Sequence, residues 1–192
     1  EVEEIDTEVQ ASLWETGAVD VKIAESAEDR EKLWSGRKTA FGSFGAIAPN
    51  YYLVDGVVPR TKLVEVLRLV GRLSERYGIT IANVFHAGDG NLHPCMLFDE
   101  REPGISDKVM QAASELMEYC ASVGGTLSGE HGIGLEKKEF MPLVFSAEDM
   151  NAMKQTRDAF APNNNLNPGK IFPDGSSQSL NPHRDTSPGL YI

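Results

Sequence analysis

The sequence predicts an α+β fold, an antiparallel sheet with helices packed on one face, followed by a small C-terminal helical part. Three observations carry this. Two apolar segments, ITIANVFH (79–86) and NLHPCMLF (91–98), flank Ala-Gly-Asp-Gly, a run suited to a hairpin connection. Single-faced helical stripes stand on either side: Leu63, Val66, Leu67, Val70 and Leu73 before the hairpin, Val109, Ala113, Leu116 and Cys120 after it. From Gly124-Gly125 onward the pattern is loop and then helix.

The elements follow in order. Residues 3–15 read as a polar helix. VDVKIA (19–24) alternates as a short strand does. Ser26-Ala-Glu-Asp29 is a capping-box-like start for a helix reaching about Phe41. YYLVDGVVP (51–59) reads as one strand closed by Pro59. The next helix, from Arg60 to Tyr77, stops at Gly78. After the hairpin, Asp107 to Val123 is helical. A second Ser-Ala-Glu-Asp at 146–149 opens a later helix, which is repeated capping chemistry and not an internal repeat. From Asp174 to Ile192 the chain is rich in Ser, Pro and Gly, the composition of a mobile tail without a core of its own.

Composition narrows the function. A chain of 192 residues fits one domain with an appendage, and 41% apolar with 24% charged residues fits a globular one. The net charge of -11 argues against nucleic acid and anionic membranes, which reward clustered Lys and Arg. A small basic pocket for an acidic metabolite stays compatible with it. No apolar run approaches the roughly 20 residues of a membrane-spanning helix, and Glu-Val-Glu-Glu is unlike a signal peptide. Cys95 and Cys120 lie on apolar segments without metal spacing, so two reduced buried thiols in a reducing compartment are expected.

The chemistry concentrates in two glycine-rich stretches. NVFHAGDGNLHP (83–94) holds two of the chain's four histidines, His86 and His93, across the hairpin. Opposed positions on an antiparallel pair have Cβ atoms about 4.5–5.5 Å apart, close enough for two imidazoles to share a cation. Imidazole suits Zn, Mn and Fe. Glu130, in SGEHGIG (128–134), is the natural third ligand, and two His with one carboxylate leave positions open for substrate or water. His131 beside it is then placed as a general base, its ordinary pKa being near neutral. Arg37, Lys38 and Arg60 are the candidates for gripping a carboxylate. GDGN lacks the Lys and helix start of a phosphate-binding loop. From the residues alone, a metal-dependent hydrolase and a non-catalytic subunit-docking module stay open beside an oxidoreductase domain.

NVFHAGDGNLHP, GGTLSGEHGIGLEKKEFM and LNPGKIF together resemble the C-terminal domain of FAD-linked oxidases of the vanillyl-alcohol-oxidase type, in particular the glycolate-oxidase and D-lactate-dehydrogenase branch. The similarity runs from about residue 1 to 173. It implies a ferredoxin-like cap and oxidation of a D-2-hydroxy acid to a 2-oxo acid, with hydride passing to FAD. It places metal ligands on His86, His93 and Glu130, the catalytic base on His131, and substrate-carboxylate binding on Arg37, with Arg60 as a second candidate. Asn167 and Lys170 of LNPGKIF are the expected cofactor contacts. Where the branch's 2-hydroxyglutarate enzymes carry a lysine and an asparagine, this chain has Leu53 and Cys95, which favours a small monocarboxylate such as glycolate or D-lactate. The resemblance further implies that most FAD contacts come from an N-terminal FAD-binding domain, which is expected to be absent from this segment. The 1–173 segment is therefore expected to be an excised substrate half, inactive alone. Its partners would be that FAD-binding domain, the small 2-hydroxy acid and an iron–sulfur subunit, in the cytoplasm or at the inner face of the membrane.

Overall fold

A computed structural model describes residues 2–175. They divide into two compact units, one ending at Phe41 and one beginning at Gly42. In the first, helix α1 (Val2–Glu15) matches the expected polar helix. Helix α2 (Ala27–Phe44) starts where the first Ser-Ala-Glu-Asp predicts and runs one turn past Phe41. Its cap forms as expected, the Asp29 N–H donating to Ser26 Oγ at 3.1 Å. The predicted strand at 19–24 does not form. Alternation alone does not make a strand, because its N–H and C=O groups need a ladder. Among the described residues none supplies one, and Val19 is 97% exposed.

The second unit holds the expected α+β architecture. Its elements are β1 (Asn50–Leu53), β2 (Gly56–Val57), a 3-10 turn (Arg60–Lys62), α3 (Leu63–Tyr77), β3 (Thr80–Asn83), β4 (Asn91–Leu92), β5 (Pro94–Phe98), α4 (Ile105–Ser122), a second 3-10 stretch (Lys138–Leu143) and α5 (Ala147–Phe160). All pairings are antiparallel, with strand order β1-β5-β3 and a separate β2-β4 pair. The single strand expected over 51–59 is thus two short strands, broken at Val54-Asp55. The partner segment 91–98 breaks at His93, and β3 stops at Asn83, leaving a lone bridge from His86 to Asn91.

These breaks preserve one register. Leu53 pairs with Cys95 and Gly56 with Leu92, and both pairs of residue numbers add to 148 (53 + 95, 56 + 92), so Asp55 falls opposite His93. Strand periodicity then sorts the two faces. Tyr52, Val54, Val58, Leu92, Met96 and Phe98 point into the core, against Val66, Val70 and Leu73 of α3 and Val109, Ala113, Leu116 and Met117 of α4. The stripes read from the sequence are the ones buried, except that Leu69 is buried and Leu63 and Leu67 only partly so. Leu53, Asp55, Asn91, His93, Cys95 and His86 fall on the opposite face by the same period.

Both cysteines are free and buried. The second Ser-Ala-Glu-Asp forms a full capping box on α5. Asp174, where the tail was expected to begin, pairs with buried Lys138 at 2.7 Å; the rest of that stretch, 176–192, lies outside the described residues. No helix is long and apolar enough to cross a membrane among the described residues.

Candidate functional site

The hairpin places the first two histidines. His86 is opposite Asn91, not opposite His93 as the sequence suggested, so the two histidines are diagonal neighbours on one face. Diagonal neighbours still reach each other when side chains are long. The rings lie 5.5 Å apart, edge to face. Gly90 makes the turn possible. It has φ +72°, and a Cβ there would stand 2.1 Å from the Val58 carbonyl oxygen.

A second segment brings the remaining groups. Thr126 bridges to Val57 at the edge of β2, and the chain then runs as an irregular loop through 128–132. Gly129 passes so close to the hairpin that a Cβ would stand 2.6 Å from Cγ of Asn91. Glu130 Oε1 thereby lies 3.2 Å from His93 Nε2, 3.5 Å from His131 Nε2 and 3.9 Å from His86 Nε2. The His131 ring stacks on His93, centroids 4.9 Å apart and planes 17° from parallel. The four residues singled out around the two glycine-rich stretches are therefore one cluster.

At its floor is a residue the sequence reading missed. Asp55 is fully buried, with Oδ1 3.4 Å from His93 Nε2. Its Oδ2 accepts hydrogen bonds from Ser128 Oγ (2.6 Å), the His131 N–H (2.9 Å), the Gly129 N–H (3.1 Å) and Lys137 Nζ (3.1 Å). Burial by itself would push the Asp55 carboxyl up. Ser128, the His131 N–H and Lys137 outweigh it and hold the group well below the usual carboxylate range. The signal was available: an Asp inside the apolar run YYLVDGVVP is either exposed or partnered by charge and donors.

His93 shows the opposite balance. Its side chain is 4% exposed, and burial lowers its pKa. His131 and His86 push the same way, against Glu130 and Asp55. The imidazole is thus held neutral. Its Nε2 is buried without a hydrogen-bond partner among the described residues, as is Oδ1 of Asn91. Orphaned buried polar atoms are rare and call for a ligand, water or ion.

The donor set suits a divalent cation. Two ligand atoms each about 2.0–2.2 Å from a tetrahedral ion stand about 3.3–3.6 Å apart. Two overlapping groups have compatible chemistry, His86-His93-Glu130 and Asp55-His93-His131, each with ligand atoms within 4.8 Å of one another. The first fits better. Asp55 spends Oδ2 on internal donors, whereas Glu130 and His86 are half exposed and open to a ligand.

The other expected contacts are on other segments of the chain. Arg37 is on α2 in the first unit. Arg60 opens the 3-10 turn, and its backbone N would be 3.7 Å from a Cβ on Gly90, so it flanks the hairpin tip. Asn167 and Lys170 pair with each other, Nζ donating to Oδ1 at 3.2 Å. Their loop is pinned to the loop after His131 by the Ile171 N–H, which donates to the Gly134 carbonyl at 2.8 Å.

The described residues thus form an α+β domain in which two glycine-rich loops bring His86, His93, Glu130 and His131 together. The sequence model for "FAD linked oxidases, C-terminal domain" matches residues 1–171, and the chain belongs to that family. It is 43% identical over 173 residues to the glycolate oxidase subunit GlcD of Escherichia coli K12, covering 90% of this chain and 35% of the relative. The Bacillus subtilis glycolate oxidase subunit GlcD is 35% identical over 164 residues, covering 85% and 35%. The mitochondrial D-lactate dehydrogenase [cytochrome] of Arabidopsis thaliana is 30% identical over 156 residues, covering 80% and 28%. The chain thus spans about a third of the length of these curated relatives.

Proposed function

We propose that this chain is the substrate- and metal-binding domain of a flavin-dependent D-2-hydroxy-acid dehydrogenase or oxidase acting on a small monocarboxylate of the glycolate or D-lactate kind. The observation that carries the metal half of this reading is the buried, unpartnered Nε2 of His93, 3.2 Å from Glu130 Oε1. The family and its relatives carry the flavin half.

His86, His93 and Glu130 would hold the cation, one of Zn, Mn or Fe. A bound cation would supply the charge that lowers the pKa of the substrate hydroxyl, and FAD, held mostly by a domain outside this chain, would supply the hydride acceptor. His131 takes the hydroxyl proton. Its ring is 41% exposed on the cluster's open side while its backbone is fixed by Asp55, so the imidazole meets substrate in a set orientation. Arg37 and Arg60 are the two candidates for binding the substrate carboxylate, each on its own segment. Asn167 and Lys170 face the cofactor from the loop tied to Gly134. Leu53 and Cys95 are direct cross-strand partners one step from His93, and neither can pair with a second substrate carboxylate, which supports a short monocarboxylate.

Metal content by mass spectrometry tests the site, on the chain and on His93→Ala, after incubation with Zn or Mn and desalting. Near-stoichiometric metal lost in the variant is the expected result. A chain that retains no metal overturns the assignment of His86, His93 and Glu130. Glycolate and D-lactate turnover then tests the reaction, in the polypeptide that joins this chain to its FAD-binding domain.

A further inference from the structure

Asp55 has no part in the chemistry above, yet it organises the loop that carries that chemistry. Four consecutive residues, 128 to 131, donate to its carboxylate. These are Ser128 Oγ at 2.6 Å and the N–H groups of Gly129 at 3.1 Å, Glu130 at 3.3 Å and His131 at 2.9 Å. The Gly129 N–H also reaches the Asp55 carbonyl at 3.1 Å, and the Gly132 N–H closes the turn on Ser128 Oγ at 2.7 Å. Residues 128–132 belong to no helix or strand. Their converging N–H groups form an anion nest, filled here by the protein's own buried carboxylate. Bonds to an ionised acceptor are about twice as strong as neutral ones.

We propose that Asp55 is a positioning residue. Its carboxylate folds the 128–131 loop so that Glu130 and His131 meet His93, a role separate from its pairing with Lys137. Position supports this: Asp55 falls opposite His93 in the sheet register, so one group fixes the distance between the strand-borne histidine and the loop-borne pair. The crowding of donors on Oδ2 makes Asp55 a hub of the loop.

The test separates that role from general stability. Asp55→Asn combined with Lys137→Met removes the carboxylate and its counter-charge together, so no unpaired charge stays buried. Ser128→Ala removes one donor and leaves the Asp55–Lys137 pair intact. Amide hydrogen exchange is read on the metal-free chain, and Zn2+ affinity by competition with a chromophoric chelator. In the double variant the amides of Gly129 and His131 should exchange at least tenfold faster, and Zn2+ should bind at least tenfold more weakly. The core amides of Val109 and Leu116 should keep their rates. Ser128→Ala should shift the same loop amides in the same direction by less, and it decides the matter if the double variant does not fold.

Unchanged loop amides in both variants overturn the proposal. So does loss of core protection in step with the loop, which makes Asp55 a general stabiliser. Zn2+ binding lost with loop protection intact also overturns it, and makes Asp55 a ligand. The affinity arm rests on the metal reading above. If the parent chain binds no Zn2+, that reading fails, and the exchange rates alone decide for or against Asp55.

Discussion

Asp55 stands opposite His93 across the antiparallel ribbon, its Oδ1 3.4 Å from the imidazole Nε2. A buried anion and a buried neutral imidazole face each other, with Glu130 Oε1 3.2 Å from the same nitrogen. His93 belongs to both groups of potential ligands, whereas His86 belongs to one. His93→Ala should therefore abolish Zn2+ retention, and His86→Ala should weaken it. Equilibrium titration of both variants checks the order; equal losses, or a larger loss in His86→Ala, would contradict it.

His131 should matter for turnover and not for the metal. In the flavin-containing polypeptide, His131→Asn is expected to lower kcat by about 100-fold or more, the usual range for removing a general base. Metal content should stay at the parent level. Parent-like turnover in the variant would remove His131 from the proton transfer.

The metal-free chain should lose stability as pH falls below neutral. Burial holds the His93 pKa below its ordinary value, so the unfolded chain takes up that proton first. The contribution of neutral His93 is complete above about pH 6.5, its unfolded pKa, and is lost as pH drops through that value toward the lower folded one. The Asp55 carboxyl is also depressed, and its contribution is lost only below about pH 4, where the unfolded group protonates. Melting temperatures between about pH 7.5 and 5.5 should fall more steeply in the parent than in His93→Gln. Parallel slopes would show that His93 is not the titrating group.

Gly90→Ala should damage the fold at the hairpin. Its φ is +72°, and the new Cβ would meet the Val58 carbonyl oxygen at 2.1 Å. The left-handed conformation alone costs roughly 1–2 kcal/mol, and the overlap adds to it. Denaturant unfolding measures the loss; a change well under 1 kcal/mol would mean the turn relaxes without strain.

The thiols should be inert in the folded chain. Burial pushes Cys95 up to about 11 and Cys120 up to about 12. Alkylation by iodoacetamide near neutral pH should track unfolding, since the thiolate is the nucleophile. Rapid labelling of Cys95 under native conditions would mean that its side of β5 opens.

Much of the architecture was legible because it is written in local chemistry. Both Ser-Ala-Glu-Asp sequences cap helices, and the stripes on α3 and α4 are the buried faces. The strand at 19–24 misled because alternation records which side chains could face a core, while a strand exists only where a partner completes its ladder. The break in 51–59 was hidden for the converse reason. YYLVDGVVP reads as one strand until the pairing divides between β5 and β4.

The site divides along the same line. The sequence by itself determined the donor set: two histidines near one hairpin, and a Glu-His pair in a glycine-rich loop, each made distinctive by its own neighbours. Only the tertiary structure decided that His86 pairs with Asn91, and that Asp55 anchors a loop up to 76 residues further along the chain. Local propensity acts over a few residues and leaves its mark in composition and spacing. Register and the partnering of a buried charge are settled only when distant segments pack, because only then does the lost hydration of Asp55 have to be replaced by the donors of Ser128, Gly129, His131 and Lys137.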